Sequence, residues 1–218
     1  MSGALHSAES VMHYTPKDIV QRAVDALGGE IMLDPASDVF GNETIRARQF
    51  YDKQGLLQPW HGPLFVNPPG RSDDNPGGAS AWWHKLVSEW ELASGSWSAI
   101  FVGFSLEILQ TCQSKSYRHP LRFPTCVPKQ RIKFDVSAVD LYRSLKNRLA
   151  SDELMTEAKY AALRTKLAKV ESAMKRGDTR FPGTSPTHGN FITCVTVDGN
   201  AQARFRTAFS PIGVVSGC

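Results

Sequence analysis

Apolar positions along the chain follow two periods, and the alternation between them outlines the elements. Ile19, Val20, Ala23, Val24 and Leu27 recur three and four residues apart, which predicts a helix that Gly28-Gly29 stops. Tyr14-Thr15-Pro16 precedes it, with Thr15 as its cap and Pro16 at the first helical position. A second amphipathic stretch starts at Ser80 and carries Trp82, Trp83, Leu86, Val87 and Trp90; a last one covers Ala201 to Phe209 and leads to an apolar tail. Shorter helices are expected from Asn42 to Arg48 and from Leu106 to Gln113. Between them stand compact apolar runs of the kind that fill buried strands: Ile31-Met32-Leu33, Leu64-Phe65-Val66, Ser98 to Phe104 and Asn190 to Val197. Leu121-Arg122-Phe123-Pro124 and Arg131-Ile132-Lys133-Phe134 read as further strands. Strands alternating with helices predict an α/β fold with a mainly parallel sheet and right-handed crossovers.

One segment breaks this rhythm. From about Asp140 to Gly177 the chain is charged, with Leu141, Leu145 and Leu149 on one helical face and Leu163, Leu167 and Val170 on another. Helices over about 139–149 and 152–175 predict a helical hairpin inserted into the main domain. The expected organisation is a loose tail over 1–13, a main domain formed by 14–136 and 181–218, and a helical insertion over 137–180. Basic residues of the insertion, Arg143, Lys146, Arg148, Lys166, Lys169, Lys175 and Arg176 among them, suit either a clamp on DNA or another subunit, or a solvated surface.

A length of 218 residues fits one such decorated domain. The net charge of +4 is compatible with nucleic-acid binding without demanding it. Four cysteines without paired short spacing read as reduced, structural thiols rather than metal ligands. Neither a membrane-length apolar run nor a signal-peptide layout is present, so a cytoplasmic protein is expected.

Candidate chemistry gathers where strands end. Asp34, followed by Pro35-Ala36-Ser37, places a carboxylate at a strand tip, where it can accept hydrogen bonds from a cofactor's ribose or amino-acid group, or simply cap the next helix. Asn67-Pro68-Pro69 follows Leu64-Phe65-Val66 directly. Proline has no N–H for a ladder, so the strand ends at Asn67 and the turn is rigid. The Asn67 amide oxygen and the Pro68 carbonyl together can accept both protons of one exocyclic amino group. That matters because an aromatic amine has its lone pair delocalised into the ring, and two aligned acceptors favour redirecting it toward an electrophile. Lys129, Arg131 and Lys133 place charge at alternate positions of a strand-like run, suited to phosphates or to solvent, and Arg118 and Arg122 share that reading. His188 is either a substrate-orienting group or a turn residue.

Taken in order, Tyr14-Thr15-Pro16, Leu33-Asp34-Pro35-Ala36-Ser37, Gln58-Pro59-Trp60-His61-Gly62, Phe65-Val66-Asn67-Pro68-Pro69 and Phe205-Arg206-Thr207-Ala208-Phe209-Ser210-Pro211 resemble phage-type DNA adenine-N6 methyltransferases. The resemblance covers most of the chain outside the insertion. It implies a Rossmann-like methyltransferase sheet using S-adenosylmethionine, with Tyr14, Thr15, Pro16, Asp34, Pro35, Ala36 and Ser37 near the cofactor. Asn67, Pro68 and Pro69 match the family's catalytic tetrapeptide, whose fourth position is normally an aromatic that stacks on the extruded base. Here that position is Gly70. Stacking of this kind is worth about 1 to 3 kcal/mol per base, so another ring is needed; Phe104, Trp82 and Trp83 are the candidates. Alternatively the stretch from Gly70 to Gly78 orders over the substrate as a lid.

The resulting expectation is a metal-independent enzyme acting on double-stranded DNA in a bacterial host or for a phage. It flips an adenine out of the duplex, because the amine cannot reach a cofactor from within the stack, and methylates N6. Two other classes stay open: the same chemistry on cytosine N4 or on a protein glutamine amide, and a catalytically weakened relative that only binds DNA.

Overall fold

The computed structural model describes residues 13–70, 75–113, 119–151, 155–183 and 189–217. The expected tail over 1–12, Arg71 to Asp74 of the proposed lid, Arg118 and His188 lie outside them. The chain divides into two compact units, one holding the described residues 13–14 and 134–183, the other 15–133 and 189–217.

The larger unit is built on a seven-stranded sheet with strand order β2-β1-β3-β4-β8-β5-β9. In chain order these strands are β1 (Leu33–Asp34), β2 (Gln49–Phe50), β3 (Leu64–Val66), β4 (Ala99–Gly103), β5 (Thr125–Pro128), β8 (Phe191–Val195) and β9 (Gly213–Ser216). The first four pair in parallel, with Leu33 opposite Leu64 and Val66 opposite Phe101. The sheet is mostly parallel, as expected, and becomes mixed beyond β4. β8 runs antiparallel to both β4 and β5, and β9 antiparallel to β5. The apolar C-terminal tail supplies β9: α7 carries the chain from β8 across to the far side of β5, so β8 and β9 flank β5 and both run antiparallel to it.

Helices α1 (Lys17–Leu27), α2 (Val39–Ile45), α3 (Gly78–Leu92), α4 (Glu107–Thr111) and α7 (Gly199–Phe209) complete this unit. α1 begins after Pro16 and takes no side-chain cap, so Thr15 does not cap it. α2 starts before the expected Asn42, because the Asp38 carboxylate accepts from the Gly41 N–H. Asn42 instead bonds both backbone groups of Ala47 through its side chain. Leu121 to Pro124 is a short 3-10 turn over Pro120–Arg122, and the strand follows it; Arg131 to Phe134 keeps alternate burial but forms no ladder. The core closes between the sheet and α3: Trp83 meets Phe101 and Phe123 edge-on at ring distances of 5.2 and 6.1 Å.

The smaller unit is the hairpin with a two-stranded base. β6 (Asp135–Ser137) pairs antiparallel with β7 (Arg180–Pro182), and α5 (Ala138–Ala150) and α6 (Glu157–Lys175) lie between them in the chain. Leu141 and Leu145 of α5 are buried with Leu163 and Val170 of α6, on the faces their spacing indicated. Ser137 and Thr156 cap the two helices through their hydroxyls. No helix among the described residues is long and apolar enough to cross a membrane.

Candidate functional site

The order β2-β1-β3-β4 creates a topological switch. From β1 the chain crosses to β2 on one side; from β3 it crosses to β4 on the other. Between strands whose crossovers diverge, the carboxyl ends open a crevice, and there open α/β sheets take ligands. Its two walls are Asp34-Pro35-Ala36-Ser37 after β1 and Asn67-Pro68-Pro69-Gly70 after β3. The same edge collects Phe104 and Ser105 after β4, Asn190 before β8, and Lys129, Arg131 and Lys133 after β5, which runs in the direction of β4.

Asp34 is 1 % exposed. One oxygen accepts from the Ala36 N–H at 3.0 Å, closing an Asx turn. Burial raises its pKa to about 7; the bonds from Ala36 and Ser37 oppose the rise, and the nearby Asp38 charge adds to it. A buried carboxylate whose charge is disfavoured, at a strand tip beside the switch point, is a candidate functional group. The loop behind it is held from below. A Cβ on Gly55 would sit 1.9 Å from the Pro35 carbonyl oxygen, so only glycine lets the Gly55–Leu57 turn pack under this loop. The Gly55 carbonyl in turn accepts from the buried Trp60 indole at 2.7 Å.

Thr15 is 2 % exposed, and its hydroxyl has no hydrogen-bond partner among the described residues. A buried polar group left unmade costs about 1 to 3 kcal/mol, so a bound ligand that completes it would recover that cost. Tyr14, expected beside it, belongs to the smaller unit. There its backbone exchanges hydrogen bonds with Asp135 at 2.8 Å, and the Arg180 guanidinium sits over its ring.

Asn67 is half-buried, Pro68 is buried, and Gly70 is exposed, with open space where a Cβ would stand. Neither tryptophan fills that space. Trp83 is in the core, and Trp82 stacks against Trp60 at 5.6 Å with its indole N–H directed to Asn75. The reason is packing: Trp83 turns to the sheet against Phe101, and Trp82 turns to Trp60 and the turn at Gly55. Phe104 is half-buried at the same edge as Asn67, and its carbonyl accepts from the Asn190 amide at 3.1 Å. Asn190 also accepts from the Ile132 N–H at 2.9 Å, so it ties the exit of β4 to the basic segment. Lys129, Arg131 and Lys133 are exposed while Ile132 is buried between them, so the alternation survives without a strand.

Two residues of this edge are not marked out by the sequence: Asn190 reads as a strand start and Asn75 as part of the lid, and neither carries a local signal of its contacts. The C-terminal motif, by contrast, is architectural. Phe205 and Phe209 are fully buried 4.6 Å apart, and Arg22 of α1 donates to the Ala208 carbonyl, so the motif docks α7 on α1. Cys112, Cys126 and Cys194 are buried and unpaired, and burial pushes their thiols up to about 11, 11 and 12, which keeps them inert.

No family model, curated protein or solved structure matches the chain.

Proposed function

We propose that the protein is an S-adenosylmethionine-dependent DNA methyltransferase acting on the exocyclic N6 of a flipped adenine. One observation carries the reading: a buried, near-neutral carboxylate and an Asn-Pro-Pro turn, two motifs far apart in sequence, end adjacent parallel strands at the switch point. The residues present fit the cofactor, since Thr15 offers a buried hydroxyl with no partner among the described residues and Asp34 a buried acceptor at the strand tip.

Thr15, Asp34 and the backbone of Pro35 to Ser37 would hold the cofactor, which when bound supplies an electrophilic methyl group on a sulfonium. Asn67 Oδ1 and the Pro68 carbonyl accept the two amine protons of the base and orient its lone pair across the crevice. Pro69 fixes the turn by its locked φ. Phe104 stands at the edge as the ring available to the extruded base, and Lys129, Arg131 and Lys133 face the phosphates.

Incubation with labelled cofactor and unmethylated DNA, followed by nucleoside mass spectrometry, tests this. N6-methyladenine should form with the wild type, and Asn67→Ala should lose transfer while still binding cofactor. Equal activity in that variant would remove Asn67 from the chemistry. The open space at Gly70 favours one second reading, the side-chain amide of a protein glutamine, which needs less stacking than a base. Methylation of protein but not DNA in the same assay would select it.

A further inference from the structure

Two adjacent prolines leave the Asn67-Pro68-Pro69-Gly70 turn without backbone N–H groups at Pro68 and Pro69, so it has fewer donors of its own to hold its shape. The bracing comes from Asn75. This side chain is 5 % exposed, and its amide nitrogen donates to the Pro69 carbonyl at 3.1 Å and to the Gly70 carbonyl at 3.0 Å. Its amide oxygen accepts from the Trp82 indole N–H at 3.3 Å. Both amide hydrogens and the oxygen are thereby used. Only one orientation of the amide permits it, since carbonyls face one end and an indole donor the other. The anchor behind Asn75 is stiff. Its own carbonyl accepts from Gly78, the first residue of α3, at 3.0 Å, and Trp82 is locked by its stacking on Trp60.

We propose that Asn75 is a positioning residue that holds the Asn67-Pro68-Pro69-Gly70 turn in its working geometry by clamping the Pro69 and Gly70 carbonyls. The proposal rests on the methyltransferase reading for the word working, and on the hydrogen bonds alone for the clamp. Fixing the peptide planes that follow Pro68 fixes the direction of the Pro68 carbonyl, and hence the pair of acceptors that must meet one amine. A displacement of about 1 Å at such a group is enough for a loss of about 100-fold.

Asn75→Asp keeps the shape but turns an oxygen toward two carbonyl oxygens. Trp82→Phe keeps the ring packing but removes the indole donor that orients the amide. Both are compared with the wild type in steady-state methylation of DNA and in hydrogen exchange of peptides within 64–78. The expected result for Asn75→Asp is a fall of 10-fold or more in kcat, a KM for S-adenosylmethionine within about 2-fold, and faster exchange at Asn67 and Gly70. Trp82→Phe should show the same pattern to a smaller degree. Wild-type kcat with a loosened turn, or unchanged exchange in Asn75→Asp, would overturn the proposal. If Asn75→Asp does not fold, Trp82→Phe decides by the same two readouts. If the wild type itself methylates no DNA, the acceptor assignment fails, and exchange alone upholds or overturns the clamp.

Discussion

Replacing Asp34 by Asn should stabilise the protein above neutral pH while removing its affinity for the cofactor. The carboxyl titrates near 3.8 in an unfolded chain and near 7 when folded, because burial disfavours its charge. Between those values the folded protein holds a proton that the unfolded chain has released, so stability falls as pH rises. The loss is absent below about pH 3.8, grows through the window, and is complete above about 7. At ~1.4 kcal/mol per pH unit it amounts to about 4 kcal/mol, an upper bound because the interior relaxes around the charge. Asparagine keeps the oxygen that accepts from Ala36 and carries no charge. Urea denaturation of both proteins at pH 4, 5.5, 7 and 8 should show the curves close together at pH 4 and Asp34→Asn ahead by 1 to 4 kcal/mol at pH 8. A gap independent of pH would refute the assignment of the burial cost to Asp34. In the wild type, titration calorimetry should show cofactor affinity dropping as pH falls below about 7, because the ligand must meet the ionised form.

Three further outcomes follow from named contacts. Gly70→Tyr should leave the melting temperature nearly unchanged, since nothing lies within 4 Å of the new Cβ, and should lower the KM for DNA by about 5- to 150-fold, the equivalent of 1 to 3 kcal/mol of stacking. An unchanged or raised KM would place the base elsewhere. Phe205→Ala, at a fully buried ring against Phe209, should cost about 3 to 5 kcal/mol in chemical denaturation. Lys129→Ala and Lys133→Ala should each reduce the slope of log affinity against log salt by about 1, measured by anisotropy on duplex DNA.

The local rules were strongest where one residue type decides the backbone. The double proline after Leu64-Phe65-Val66 could end a strand in only one way, and β3 stops at Val66. The spacing of Leu141, Leu145 and Val170 likewise announced a hairpin with its own apolar seam, because helical periodicity is a property of neighbours in sequence. The two tryptophans of α3 read first as core by their helical spacing, with a stacking role as the alternative, and packing claimed both, Trp83 against Phe101 and Trp82 against Trp60. Which strands pair, and in which direction, also lay beyond the local pattern. A buried β8, antiparallel to both its neighbours, and a buried β3, parallel to both of its own, present the same unbroken apolar run, and only the ladder tells them apart. The same holds for the site. Asp34 and Asn67 each stood at the end of a strand by local pattern alone, but their adjacency depends on β3 choosing the edge of β1 that β2 left open. Asn75 shows the limit most plainly: its identity is compatible with any loop, and its role arises because two carbonyls and one indole N–H converge on it when α3 packs. Sequence determines what each residue can donate, accept or bury; the tertiary structure decides which partner arrives, since partners remote in the chain meet only through the packing of the whole unit.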